Sequence, residues 1–230
     1  MSHECLADLL SGSPDPRYRS LAAATGEGLG RPAPWVIPVI RSIAADLSDQ
    51  GILVVFEAGW ETRGRTSYFD PGGLVIHHTA DQSHSTDYGI LWLVRDGRSD
   101  LPGPLAQFGL GRRGTVYVIA AGTANHAGGG GWNGLSGNHS VWGIEAANDG
   151  IGEPWSPVQI ENYLALSTAI ARHSEFSADM IACHREWSDA GKIDPTGIDC
   201  PWFRGQVAGR LAGSTTPDPW ADLFVPVIAS

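Results

Sequence analysis

Leu74-Val75-Ile76-His77-His78-Thr79-Ala80 is an apolar run that ends in two adjacent histidines. Its length and composition predict a short buried strand over residues 73–78. Side chains alternate faces along a strand, so His77 and His78 point opposite ways and at most one serves a given site. Open α/β sheets place ligands where strands end and open into loops, which is where this pair stands. Outward from it, Trp35, Val39, Ile43 and Leu47 recur every four residues, as an amphipathic helix requires, and Gly51 ends the pattern. Residues 52–56 predict another buried strand, and residues 86–94 a helix capped by Ser85 or Thr86. Segments 107–110 and 115–120 flank Arg112-Arg113-Gly114, which predicts a β-hairpin with a solvated turn.

A glycine-rich loop follows over residues 127–134, then a strand over 141–146. Ser156-Pro157-Val158-Gln159 carries a cap, a first-turn proline and a capping-box glutamine, so a helix runs from there to about His173. Residues 180–184 predict a strand, and Phe203, Val207 and Leu211 a last helix. Helices and strands alternate loosely, with at least one hairpin, so the fold class is α/β: a central mixed sheet flanked by helices. The expected organisation is an arm over residues 1–33, a catalytic domain over 34–212 and a linker with a tail over 213–230.

The 230 residues are 42% hydrophobic and 17% charged, which supports a sizeable core and excludes a disordered chain. Net charge is −10, so neither nucleic acid nor an anionic membrane surface is an expected partner. No apolar stretch is long enough to span a bilayer. The N-terminus lacks the basic region of a secretory signal, which predicts synthesis in the cytoplasm. Three cysteines, Cys5, Cys183 and Cys200, are an odd count that does not predict a disulfide framework. Among 15 basic residues there is one lysine, Lys192.

The chemistry-bearing residues collect around His184. Asp194 follows it by ten positions, and Lys192 lies two before Asp194, on the same side of an extended segment. Two histidines and a carboxylate make a three-ligand hydrolytic zinc site with the fourth position open. Lysine beside such a site can stabilise an oxyanion. A base is also needed. Glu145 ends the apolar strand Val141-Trp142-Gly143-Ile144-Glu145, where a carboxylate is costly unless paired or functional. Trp132, beside the glycine run, is the candidate for stacking on a sugar, with Asn133 as a neighbouring substrate contact.

Four elements occur in order: Val75-Ile76-His77-His78-Thr79-Ala80, Asn125-His126-Ala127-Gly128, Trp142-Gly143-Ile144-Glu145, and His184 followed by Gly191-Lys192-Ile193-Asp194-Pro195. Together they resemble the zinc N-acetylmuramoyl-L-alanine amidases of the type-2 amidase and peptidoglycan-recognition-protein superfamily. Within it, residues 35–212 most resemble the amidase domains of endolysins from phages of actinobacteria. The resemblance implies that His77, His184 and Asp194 are zinc ligands. It implies that Glu145 activates water, Lys192 steadies the tetrahedral intermediate and His126 lines the substrate groove.

It further implies a peptidoglycan substrate, a monomer made in the host cytoplasm and, for a phage lysin, release to the wall through a holin. Many relatives use cysteine as third ligand, and Cys200-Pro201 is the alternative to Asp194-Pro195. Phage lysozyme-type relatives carry a catalytic tyrosine before the arginine turn. Ala106 or Gln107 stands there, so that role is vacant or falls to Glu145. Two other functions compete with the amidase: a recognition module of the same fold that binds peptidoglycan without cutting it, and a cysteine hydrolase using Cys183 or Cys200 with a histidine.

Overall fold

The computed structural model describes residues 32–65 and 68–213. Most of the expected arm and tail, residues 1–31 and 214–230, lies outside the described residues. In chain order the elements are α1 (Val36–Asp49), β1 (Val54–Phe56), β2 (Leu74–His78), α2 (Leu91–Asp96), β3 (Gly97–Arg98), β4 (Leu101–Pro102), β5 (Phe108–Leu110) and β6 (Val116–Val118). There follow β7 (Gly131–Trp132), β8 (Leu135–Ser136), β9 (Trp142–Ala146), α3 (Pro157–His173), β10 (Ile181–Cys183), α4 (His184–Trp187) and α5 (Cys200–Leu211).

Six strands form one mixed sheet in the order β1-β6-β5-β9-β2-β10, and β3-β4 and β7-β8 are separate two-stranded ribbons. β2 pairs in parallel with β9 on one side and β10 on the other, with His77 opposite Glu145. Alternation sorts the two faces. Leu74, Ile76, Trp142, Ile144, Ile181 and Cys183 join the main core with α1, α3 and α5. Val75 and Ala182 face the other way, against Ala127, Val141 and Trp187. His77 and Glu145 stand on that second face.

α1 forms as its spacing predicts, with Val36, Ile40, Ile43, Ala44 and Leu47 buried. α3 starts at the predicted cap, where Ser156 Oγ accepts from the Gln159 N–H. It is buried on most of its circumference because it lies between α1 and α5. From it Tyr163 reaches the sheet. Its hydroxyl accepts the His77 N–H at 3.0 Å and donates to the His77 carbonyl at 2.9 Å, satisfying both backbone groups at the end of β2.

Four expectations change. β1 is an edge strand paired only with β6, so Phe56 is exposed and Val54 and Val55 are half-buried. The helix expected over residues 86–94 begins only at Leu91. The Asp81 carboxylate accepts from the Ser83 and Gly89 N–H groups and holds the preceding residues in turns. Arg112 is not a solvated turn residue. Its side chain is buried between Asp81, 3.0 Å away, and Glu153, 2.6 Å away, and ties the hairpin to the loops after β2 and β9. Finally, Cys183 and Cys200 form a disulfide. An odd count does not exclude a single pair, and the fold brings Cys183 and Cys200 together; Cys5 lies outside the described residues.

Candidate metal centre

The carboxyl ends of β2, β9 and β10 converge on one face. His77 ends β2, Glu145 stands beside it on β9, and His184 opens α4 directly after β10. Asp194 arrives on the loop between α4 and α5. That loop is held from several sides. The Arg185 N–H donates to the Asp194 carbonyl at 2.9 Å, and the Arg185 guanidinium donates to the carbonyls of Pro195 and Ile198. Two residues past Asp194, the Thr196 N–H donates to His78 Nδ1 at 3.0 Å, and Trp155 Nε1 donates to the Thr196 carbonyl at 2.8 Å. The Cys183–Cys200 disulfide closes the base of the segment that carries His184, Lys192 and Asp194.

Asp194 Oδ2 lies 3.1 Å from His77 Nδ1 and 3.0 Å from His184 Nδ1. All three side chains are buried, and their ligand atoms fall within 4.8 Å of one another. A tetrahedral ion with bonds near 2.0 Å sets its ligands about 3.3 Å apart, so the spacing suits zinc. The environment suits it too. Burial pushes the His77 imidazole down to about 4, leaving it neutral at pH 7. Burial also opposes ionisation of Asp194, but its close contacts with the His184 and His77 rings outweigh it and hold the carboxyl well below the usual range. His184 Nε2 is buried with no protein partner.

Glu145 Oε1 stands 4.0 Å from His77 Nδ1, while Oε2 is buried and unpaired. Burial, then the negative charge of Asp194, raises its pKa well above the ordinary carboxylate value, and Lys192 pulls in the other direction. Lys192 is exposed on the rim, near enough for its charge to be felt by both Glu145 and His77. Tyr88, unremarked in the sequence, donates its hydroxyl to the Glu145 carbonyl at 2.7 Å and fixes the end of β9.

His77, Glu145, His184, Lys192 and Asp194 therefore share one site. The three residues expected to bind substrate do not join them on an open groove wall. His126 is buried behind His77, with Nδ1 3.1 Å from His77 Nε2. Trp132 and Asn133 sit at the opposite end of the sheet. Both donate to the carbonyl of Asp179, which precedes β10, at 2.7 and 2.8 Å. The Arg204 guanidinium lies over the Trp132 ring, 5.0 Å from its centroid. The glycine run itself passes close to the segment after α4, where Gly129 accepts from the Asp189 N–H, but the chain turns away before Trp132.

Cys200 is not a ligand alternative. Its sulfur is bonded to Cys183 within the core, which also removes both cysteines as nucleophiles. At the position where relatives carry tyrosine, Gln107 is fully buried. Its amide donates to Gly122 and accepts from the Gly143 N–H, bracing β9 rather than entering the site. Ala106 is likewise buried.

A family model described as N-acetylmuramoyl-L-alanine amidase matches residues 67–197, a span that includes all of these site residues. No curated protein sequence matches the chain. Among solved structures, the catalytic domain of XlyA is 17% identical, with a TM-score of 0.52 over 68% of this chain and 99% of that one. The amidase LysC from Clostridium intestinale URNW is 19% identical, with a TM-score of 0.50 over 67% of this chain and 96% of that one. AmpDh3 from Pseudomonas aeruginosa is 20% identical, with a TM-score of 0.50 over 64% and 63%. These likenesses establish the same mixed sheet flanked by helices.

Proposed function

Because the chain belongs to the N-acetylmuramoyl-L-alanine amidase family, with the matched segment covering over half its length, we propose that it holds a zinc ion between His77, His184 and Asp194. Its reaction is hydrolysis of the amide between the lactyl group of N-acetylmuramic acid and L-alanine in peptidoglycan. One observation carries the metal reading: a nitrogen from each of two imidazoles and a carboxylate oxygen converge within 4.8 Å in a buried site, beside a glutamate with one buried, unpaired oxygen. When bound, zinc supplies Lewis-acid polarisation and lowers the pKa of water at its open position toward about 7.

The rest of the work falls to the chain. Glu145 presents a buried, unpaired carboxylate oxygen that accepts a proton from the attacking water. Its raised pKa then suits return of that proton to the departing L-alanine amine. The Lys192 ammonium offsets negative charge on the carbonyl oxygen as the bond to water forms. Asp194 stays ionised throughout, and Tyr163 and Tyr88 keep the ends of β2 and β9 from shifting. A recognition module that binds peptidoglycan without cutting it has no use for a buried, unpaired glutamate oxygen beside the ligand trio.

The likeness to actinobacteriophage endolysins extends the proposal. The enzyme acts as a monomer on the host wall after synthesis in the cytoplasm. Glu145→Gln tests the division of labour. Zinc content measured by metal analysis stays at one per chain, while turnover on purified peptidoglycan falls by about 10²–10⁴. Loss of the metal instead would make Glu145 a ligand, and unchanged turnover would remove it from the chemistry.

A further inference from the structure

His126 has both ring nitrogens engaged and touches no open surface. We propose that it is a positioning residue that sets the tautomer of His77 and so presents His77 Nδ1 as a lone pair to the metal, an inference that rests on the zinc reading above. The argument follows protons from atom to atom. His126 Nε2 lies 3.3 Å from the backbone carbonyl of Val141. A carbonyl only accepts, so Nε2 carries the hydrogen. The neutral ring then has its lone pair at Nδ1. That lone pair faces His77 Nε2 at 3.1 Å, so the hydrogen between the rings belongs to His77 Nε2. His77 Nδ1, the atom 3.1 Å from Asp194, is left unprotonated. Two lone pairs, of His77 and Asp194, then face each other, an arrangement that a cation between them relieves.

The fold provides for this contact on both sides. The Asn138 carboxamide oxygen accepts from the His126 and Ala127 N–H groups at 3.1 and 2.7 Å and fixes the backbone from which the ring projects. Gly143, on β9, leaves room for the ring. A Cβ there would come within 2.7 Å of it. The two imidazole planes stand at 89° with centroids 5.2 Å apart, so the rings meet through the 3.1 Å nitrogen–nitrogen contact and do not stack.

Two substitutions of equal size separate the hydrogen bond from simple packing. His126→Asn keeps an acceptor near the Nδ1 position, and His126→Leu fills the same space without one. Zinc affinity is read by competition with a chromophoric chelator, with circular dichroism confirming the fold of each variant. The expected result is about a ten- to hundred-fold loss for His126→Leu, with His126→Asn within a few-fold of wild type. Equal affinities in the two variants, whether both high or both low, overturn the proposal.

Nitrogen-15 spectra of the zinc-loaded wild type give the second readout. A scalar coupling across the hydrogen bond, with the proton on His77 Nε2, supports the relay. A proton on His126 Nδ1 overturns it. The metal-free spectrum tells the two failures apart. If wild type binds no zinc yet His126 carries its proton on Nε2, the zinc reading is lost and the Val141–His126 contact stands. If the proton is on Nδ1 there as well, the positioning role fails on its own account.

Discussion

His77 and His78 are adjacent in the chain and belong to different environments. His77 lies on the site face, 1% exposed, with Asp194, His126, His184 and Glu145 around its ring. His78 lies on the helix face, half-buried, and spends its Nδ1 on the N–H of Thr196. Both act on the Asp194 segment. One meets its carboxylate and the other holds its backbone two residues further on. The difference shows how a single parallel strand can supply a reactive group and a brace from consecutive positions, because the sheet separates what the sequence joins.

The sharpest way to break the comparison is to remove each ring in turn. His77→Ala should abolish stoichiometric zinc in metal analysis and reduce turnover on the order of 10³-fold or more. His78→Ala should cost about ten-fold in zinc affinity and leave the metal stoichiometry intact. Equal losses from the two variants would erase the distinction between ligand and brace. Next in size is the cross-link beneath the same segment. The double variant Cys183→Ala/Cys200→Ala should lose about 3 kcal/mol in urea unfolding, as expected for a closed loop of this length. Tyr163→Phe should cost about 1–3 kcal/mol, since it strips a partner from two buried backbone groups of His77.

Acidity sharpens the comparison further. Between pH 6.5 and about 4 the unfolded chain binds a proton at His77 that the folded, metal-free protein refuses, so this group lowers stability as pH falls. His126 is shifted the same way, by burial and then by His77. Glu145 acts in the opposite sense. Its folded pKa is raised, so its contribution is present in acid and lost as pH rises. Asp194 is depressed and adds stability that is lost only below the ordinary carboxylate range. Metal-free Glu145→Gln should therefore depend more steeply on pH than wild type from 6.5 to 4 in urea titrations. A shallower dependence would mean that Glu145 is not held protonated. The smallest effect belongs to the far end of the sheet. Trp132→Ala should leave turnover within about two-fold of wild type, because its ring is engaged by Asp179 and Arg204 at the end of the sheet away from His77.

The elements that sequence reveals best here are those with a periodic or punctuated signal. β2 shows as an apolar run, α3 as a Ser-Pro start, and the β5–β6 hairpin as two strands around a glycine turn. That His77, His184, Asp194 and Glu145 gather in one place was legible because each stands in a motif of fixed order, the first two and Glu145 at or just after a strand. What escaped depended on partners distant in the chain. Tyr163 meets His77 across 86 positions, and Arg112 meets Asp81 across 31. The disulfide was masked by the third cysteine. Trp132 misled because a glycine run near the site says nothing about where the chain goes next. The β7–β8 ribbon carries the indole toward the amino ends of β2 and β10, away from His77.

Peptidoglycan digested by the metal-free, zinc-restored and wild-type proteins, with the products weighed by mass spectrometry, tests the central claim most directly. The account predicts stem peptides with a free L-alanine amine and glycan strands with bare lactyl carboxylates, absent after chelation and restored by zinc. Cleavage at full rate by the chelated protein, or products cut at a glycosidic bond, would contradict it.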